Sequence, residues 1–274
     1  MTTTAIAIQQ FHDEFIVAYQ QQERLAGTTL KVSNVVGDAY KWPTIGSADM
    51  TDRGDYSSPL PRTPLVKGRI VTTFAEKCIR FALGRDEKAL TNVDERNIWG
   101  MEQAAAVGRY KDSLKIAVLN AVTTNVVPVG TSNLSLEKIL AAKKALINAN
   151  APLGSTVNFA LHGNQWEALM KLEQFTNSEY YTRTLTDGKI QGFLGMNWIL
   201  FGDSTVGGLP ISGNNRSCFM WLNTAVGVAN KYDINPHVWY DDNTVSWISD
   251  ALTEEGASVL NQNGVVKILC DETK

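Results

Sequence analysis

Apolar residues at helical spacing open the chain. Ile8, Phe11, Phe15, Ala18 and Tyr19 recur every three or four positions, with Gln9, Gln10, Asp13, Glu14 and Gln20 to Gln22 elsewhere. That period predicts an amphipathic helix, stopped at Gly27. A helix at the terminus needs a surface for its stripe, either its own domain or a neighbouring subunit. Residues 28 to 84 then turn strand-like. The runs "TLKVSNVV", "AYKWPTIG" and "GRIVTTFAEKCIRFALG" are β-rich, but between them lies a polar stretch with Pro59, Pro61 and Pro64. A weakly apolar segment of that length belongs to function or to contacts outside the domain. The pattern predicts a two-stranded arm projecting from the body, with an irregular tip.

From about Asp94 to Val122 the period is helical again. Val107, Tyr110, Leu114, Ala117, Val118 and Ala121 make one apolar stripe, and Arg109, Lys111, Asp112 and Lys115 fall largely off it. A helix of that length spans roughly 40 Å at 1.5 Å per residue. A second helix is expected after Ser135, its N-cap, ending before Pro152 and Gly154. "STVNFALH" reads as a buried strand and "GNQWEALMKLEQF" as a short helix. Asp187-Gly188 between β-prone runs signals a hairpin. The last third alternates strands with turns. The count is α+β: two or three substantial helices, many strands and one arm.

Composition narrows the classes. The 274 residues are 44% apolar and 19% charged, a globular balance. A net charge of −3 and a pI near 5.7 argue against a broad nucleic-acid-binding surface, while leaving room for a local basic patch. No apolar run approaches the ~20 residues of a membrane span. The first residues lack a basic leader and signal-peptide core, so synthesis in the cytosol is expected. Three widely spaced cysteines, Cys78, Cys218 and Cys270, offer neither a zinc motif nor a disulfide framework.

The densest glycine cluster, Gly188, Gly192, Gly195, Gly202, Gly207 and Gly208, raises the question of a phosphate cradle. A dinucleotide fingerprint needs strand, glycines and then a helix, whereas this cluster sits between strand-like runs. No glycine is followed by Lys and Ser/Thr, so the P-loop pattern is missing too. These glycines are read as serving turns and close strand crossings. His12, His162 and His237 stand without catalytic spacing, and no GxSxG elbow exists. Arg53-Gly54-Asp55 spells an adhesion tripeptide, but the physical reading is local. Arg53, Asp55, Arg62, Lys67 and Arg69 give the arm charge for contacts with a neighbouring subunit. No catalytic residue, cofactor or metal site is expected.

The order of these elements resembles the major capsid proteins of tailed bacteriophages, with the Hong Kong 97-type fold. The opening amphipathic stretch looks like the N-terminal arm (1–36) and "YKWPTIGSADMTDRGDYSSPLPRTPLVKGRIVTTFAEKC" like the extended E-loop β-hairpin (37–80). "ERNIWGMEQAAAVGRYKDSLKIAVLNAV" looks like the long spine helix that opens the P-domain (81–128). An inserted A-domain (129–220) would follow. The tail resembles the returning P-domain strands (221–274), with a small hairpin around Gly256. The resemblance covers nearly the whole chain but rests on order and profile.

The resemblance implies a structural subunit without enzymatic activity. It would self-assemble as hexamers and pentamers into an icosahedral head around double-stranded DNA, without sequence-specific DNA binding and without a membrane. Because the arm begins at residue 1, a separate scaffolding protein, or none, is expected, together with a portal protein and decoration proteins. The protein would reside in the virion after synthesis in the bacterial cytoplasm. Subunit contacts are expected from Phe11 and Phe15 of the arm, and from Lys41, Trp42, Arg53, Asp55, Arg62, Lys67 and Arg69 of the loop. Some relatives join a loop lysine to a neighbour's asparagine; nothing in the context of Lys41, Lys67, Asn261 or Asn263 selects such a pair. The alternatives are an encapsulin-type nanocompartment shell on the same fold, and a nucleotide-using enzyme with polar groups converging beside Gly188 to Gly195.

Overall fold

The computed structural model describes residues 22–54, 56, 59, 62–84, 95–152, 154, 156–172, 185–186, 189–190 and 193–274. The helix expected near the N-terminus, with Phe11 and Phe15, lies outside them. In chain order the elements are β1 (Leu30–Val32), β2 (Ala39–Ile45), β3 (Lys67–Thr73), β4 (Ala75–Gly84), α1 (Glu95–Asn120), β5 (Val126–Val127), α2 (Leu136–Asn148) and β6 (Val157–His162). There follow α3 (Gly163–Met170), β7 (Leu185–Thr186), β8 (Lys189–Ile190), β9 (Met196–Phe201), β10 (Ile211–Ser212), β11 (Asn215–Leu222), β12 (Val226–Asp241), β13 (Ser246–Val259) and β14 (Val265–Asp271). The fold is α+β, as expected.

One sheet runs β5-β14-β11-β6-β9, with β10 on β11. Its central strands β6 and β11 are buried from Val157 to His162 and from Arg216 to Leu222, as largely apolar strands covered on both faces are. Phe159 pairs with Met220 and Phe219 with Ala160, so Phe159 and Leu161 stand on one face of the sheet and Phe219 and Trp221 on the other; with Ile139, Ala142 and Leu146 of α2 and Ile116 and Leu119 of α1 they belong to the main core. Each large side chain so enclosed contributes about 1.5–3 kcal/mol. Ser135 caps α2, its Oγ accepting from Lys138 N at 3.4 Å. The last strand, β14, lies between β5 and β11. It therefore belongs to the sheet built from residues 126–222, across the division expected at residue 220.

The other large sheet runs β1-β12-β13-β4, with α1 packed over β13 and β4. Asp241 closes the β12–β13 turn, its carboxylate accepting from Asn243 N (3.0 Å) and Thr244 Oγ1 (2.9 Å). The hairpin expected around Gly256 is not there. Gly256 lies inside β13 and is paired with Ala229. A Cβ at Gly256 would collide with Thr73 O, so the glycine allows β3 to cross the sheet at close range.

The stripe expected on α1 is also misplaced. The buried face carries Gln103, Val107, Lys111, Asp112, Lys115, Ile116 and Leu119, whereas Ala117 and Ala121 are exposed and Tyr110, Leu114 and Val118 only partly buried. Charged residues face inward because each meets a partner there. Among the glycines, Gly195 (φ 68°) and Gly207 (φ 75°) hold left-handed conformations, and a Cβ at Gly208 would strike Ser204 O. β7 pairs antiparallel with β8 through Thr186↔Lys189, while Asp187, Gly188 and Gly192 lie outside the described residues.

Candidate assembly surface

Strands β2 and β3 form a separate antiparallel pair, from Ala39↔Thr73 at the base to Ile45↔Lys67 at the far end. Gly46 N then donates to Val66 O at 2.8 Å, and no further strand is assigned in the described part of residues 47–66. Alternation divides the side chains between two faces. Tyr40, Trp42, Ile70 and Thr72 stand on one. Lys41, Pro43, Ile45, Lys67, Arg69 and Val71 stand on the other, and all six are exposed, Ile45 at 68% and Val71 at 49%. The register brings Arg69 opposite Pro43 and Lys41 opposite Val71. Among the described residues, none of Lys41, Lys67 and Arg69 forms an ion pair.

Trp42 departs from the expectation. It is 6% exposed, donates from Nε1 to Thr72 Oγ1 at 2.9 Å and stacks edge-on against Tyr40. Its ring lies over Gly227, where an added Cβ would come within 2.8 Å of Cζ2. Thr72 Oγ1 continues the chain of bonds to Ser258 Oγ at 2.6 Å. Trp42 is therefore the anchor of the hairpin base on its own sheet. Arg53 is exposed with its guanidinium over Tyr56 at 5.1 Å, and Arg62 is exposed; Asp55 lies outside the described residues. The three basic residues of the outer face are thus brought together, while Arg53 and Arg62 stand beyond the paired strands.

Below the hairpin, α1 grips the start of the described chain. Asp112, fully buried, accepts from Arg24 N at 2.9 Å and from Leu25 N at 3.0 Å. Lys115 donates to Glu23 Oε1 at 2.6 Å and to Leu25 O at 3.2 Å, and Gly108 leaves room for Glu23 to cross the helix. Lys111 pairs with Asp233 of β12, which Lys31 also meets at 3.1 Å. Burial pushes the Asp233 carboxyl up, but hydrogen bonds from Lys111 and Lys31 outweigh it and hold it below its ordinary value. Glu255, under the helix, goes the other way: burial raises it despite Lys111, Lys115 and Lys31 nearby. Sequence reading missed this seam. Its signal was the spacing of Lys111, Asp112 and Lys115, which share one helical face with Gly108.

A second polar cluster fixes the loop before β11. Arg216 bonds Glu272 with two nitrogens and Asp203 at 3.3 Å, and His162 Nε2 meets Asp203 at 3.0 Å. Burial, and then Arg216, lowers the His162 pKa and keeps the ring neutral near pH 7. Between this loop and α1 lies a cavity of about 590 Å³, lined by Ser113, Ile116, Asn120, Leu209 and Arg216 among others. None of the described residues between 188 and 195, where the enzyme reading needed polar groups, lines it, and its Arg216 is already engaged. Among the described residues, no cluster of His, Cys, Asp and Glu could hold a metal, and no helix is long and apolar enough to cross a membrane.

Residues 3–272 match the profile of a family described as phage capsid protein. No curated protein matches by sequence. Solved structures do match in fold. A chain of Mycobacterium phage Che8 superposes with a TM-score of 0.73 at 15% identity, covering 100% of this chain and 99% of that one. The capsid structure of cyanophage P-SCSP1u gives 0.74 at 14%, covering 96% and 92%. The capsid asymmetric unit of cyanophage Pam1 gives 0.71 at 12%, covering 99% and 98%.

Proposed function

The chain belongs to the phage capsid protein family, and from that premise we propose how its copies build a head. The subunit is a structural, non-enzymatic protein of the icosahedral shell of a tailed phage, with the Hong Kong 97-type fold. The family match favours neither the nanocompartment nor the enzyme reading. In our proposal the copies group as hexamers and pentamers and enclose double-stranded DNA without reading its sequence. A separate scaffolding protein and a portal act during assembly in the bacterial cytoplasm, and decoration proteins can be added outside. The N-terminal arm, hairpin, spine-helix unit and inserted domain take the roles expected from their order.

One observation carries this reading. Among the described residues, the β2–β3 hairpin is tied to the sheet through Trp42 and Thr72, and it offers an outer face of exposed apolar and basic side chains. Such a face gains its stabilisation from a neighbouring molecule. Lys41, Lys67, Arg69, Arg53 and Arg62 are therefore proposed as contact residues, with Phe11, Phe15 and Asp55 proposed from sequence alone. Electron microscopy of the purified protein under assembly conditions tests the reading. Closed particles are expected; a persistent monomer or dimer would overturn it.

A further inference from the structure

Among the described residues, seven buried side-chain nitrogen and oxygen atoms have no hydrogen-bond partner, and four of them belong to three neighbouring residues. They are Asn230 Nδ2 and Oδ1, Thr253 Oγ1 and Glu255 Oε2. Asn230 of β12 stands directly opposite Glu255 of β13. Thr253 shares the face of Glu255, since side chains two apart on a strand point the same way. On that face Gln103 of α1 bonds Ser249, so all three residues lie on the helix side of the sheet. Asn230 and Thr253 are 1% exposed and Glu255 2%. A buried polar atom without a partner is costly, and native chains leave few of them. Four in one place call for one common partner.

The neighbouring side chains do not supply it. Lys111 is committed to Asp233, and Lys115 to Glu23 Oε1 and Leu25 O. The backbone makes room at this place. β12 slips register against β13 between Asn230 and Tyr232, and again between Tyr232 and Asn235. A bulge leaves its extra residue outside the ladder and bends the strand, so α1 crosses an uneven surface rather than a flat pleat. The four atoms also select the ligand. Asn230 Nδ2 only donates, Asn230 Oδ1 and an ionised Glu255 only accept, and the Thr253 hydroxyl does either. An anion would be repelled by Glu255, and a bare cation by the Asn230 amide hydrogens with Lys111 and Lys115 close by. Water both donates and accepts, and an internal water takes about three polar partners. We propose that ordered internal water is bound between Asn230, Thr253 and Glu255 and forms part of the seam between α1 and the β12–β13 pair. The helix is then held on the sheet by water as well as by the ion pairs of Lys111 and Lys115. The site belongs to the single subunit and does not depend on assembly.

Two measurements on the unassembled full-length subunit test it. The first is nuclear Overhauser transfer from water. Bound water should give cross-peaks to the Asn230 side-chain amide, with the sign reversal between laboratory and rotating frames that separates contact from proton exchange. They should persist in Thr253→Val, where no hydroxyl at that position can relay them. The second is the stability of the same variant, which replaces the hydroxyl by a methyl. Loss of a water-bonded hydroxyl should raise the unfolding equilibrium constant in urea by about threefold to tenfold. A hydroxyl stranded in a dry interior would instead leave the variant as stable as the parent or more so. Absence of the cross-peaks in the parent would overturn the proposal, as would a Thr253→Val subunit no less stable than the parent. If that variant does not fold, the parent's cross-peaks decide alone.

Discussion

Removing the Asp112 carboxylate should loosen the whole entry of the chain onto α1. In the Asp112→Ala variant the N–H groups of Arg24 and Leu25 lose their acceptor. Leu25 is fully buried, so its donor is stranded away from water, while the part-buried Arg24 donor can be rehydrated. A buried donor left unmade costs about 1–3 kcal/mol and a rehydrated one less, which puts the loss at about 3 kcal/mol. Against a typical domain stability of about 5–15 kcal/mol that is large. Asp112→Asn keeps one oxygen acceptor and should lose about half as much. Urea unfolding of the unassembled subunit gives the global change. Exchange of the Leu25 amide reports the local opening, which should become easier by the same amount. An Ala variant within about 0.5 kcal/mol of the parent would refute the reasoning, and so would an Asn variant as damaged as Ala.

Glu255 supplies a pH test. Because burial raises its carboxyl, its favourable contribution is complete below the ordinary value of 4.5 and is lost as pH climbs through the raised one. Lys111, Lys115 and Lys31 face it as cations, Glu23 as an anion and Tyr110 as a neutral phenol, and Glu255→Gln leaves these side chains in place while removing part of the cause that raises the Tyr110 phenol. That variant should match the parent near pH 4 and be the more stable of the two near pH 8, by urea unfolding at each pH; a gap that narrows with rising pH would contradict the assignment. Gly256→Ala should push β3 off the sheet at a cost of about 1–3 kcal/mol. A red shift of the Trp42 fluorescence would mark the lifted hairpin base, and an unshifted spectrum in a fully stable variant would argue against the close crossing.

Much of this architecture was legible in the chain. Ser135 named the start of α2, the largely apolar run at residues 157–161 named a buried strand, and the proline-rich stretch marked an arm with little core. Hydrophobic periodicity failed on α1, because it assumes that the buried face is the apolar one. There Lys111, Asp112 and Lys115 are inside, each compensated by a group from residues 23–25 or 233, and no periodicity reveals partners that far away in sequence. Gly256 misled for a related reason: a glycine in a strand can mean a turn or a crossing, and only the position of Thr73 decides. The basic residues of the hairpin were legible as a group, but alternation about Trp42 was needed to separate the anchor from the exposed face. The strand at residues 236–241 was legible from its alternation, whereas the exposure of Val238 and Tyr240 was not, since it depends on where α1 ends up lying.

The placement of β14 has a consequence for the timing of synthesis. Its residues lie between β5 and β11, and Ile268 pairs with Cys218, fifty positions earlier on the ribosome. A nascent chain carrying everything up to residue 264 still has the edge of β11 and the flank of Phe219 and Trp221 unsealed. Sheet closure waits for residues 265–271 to emerge, a long-range pairing of the slow kind. A shell built from copies of this chain is thereby fed by subunits whose largest core closes only once β14 has been made, and a product terminated before it lacks the strand that would let it pass as one of them.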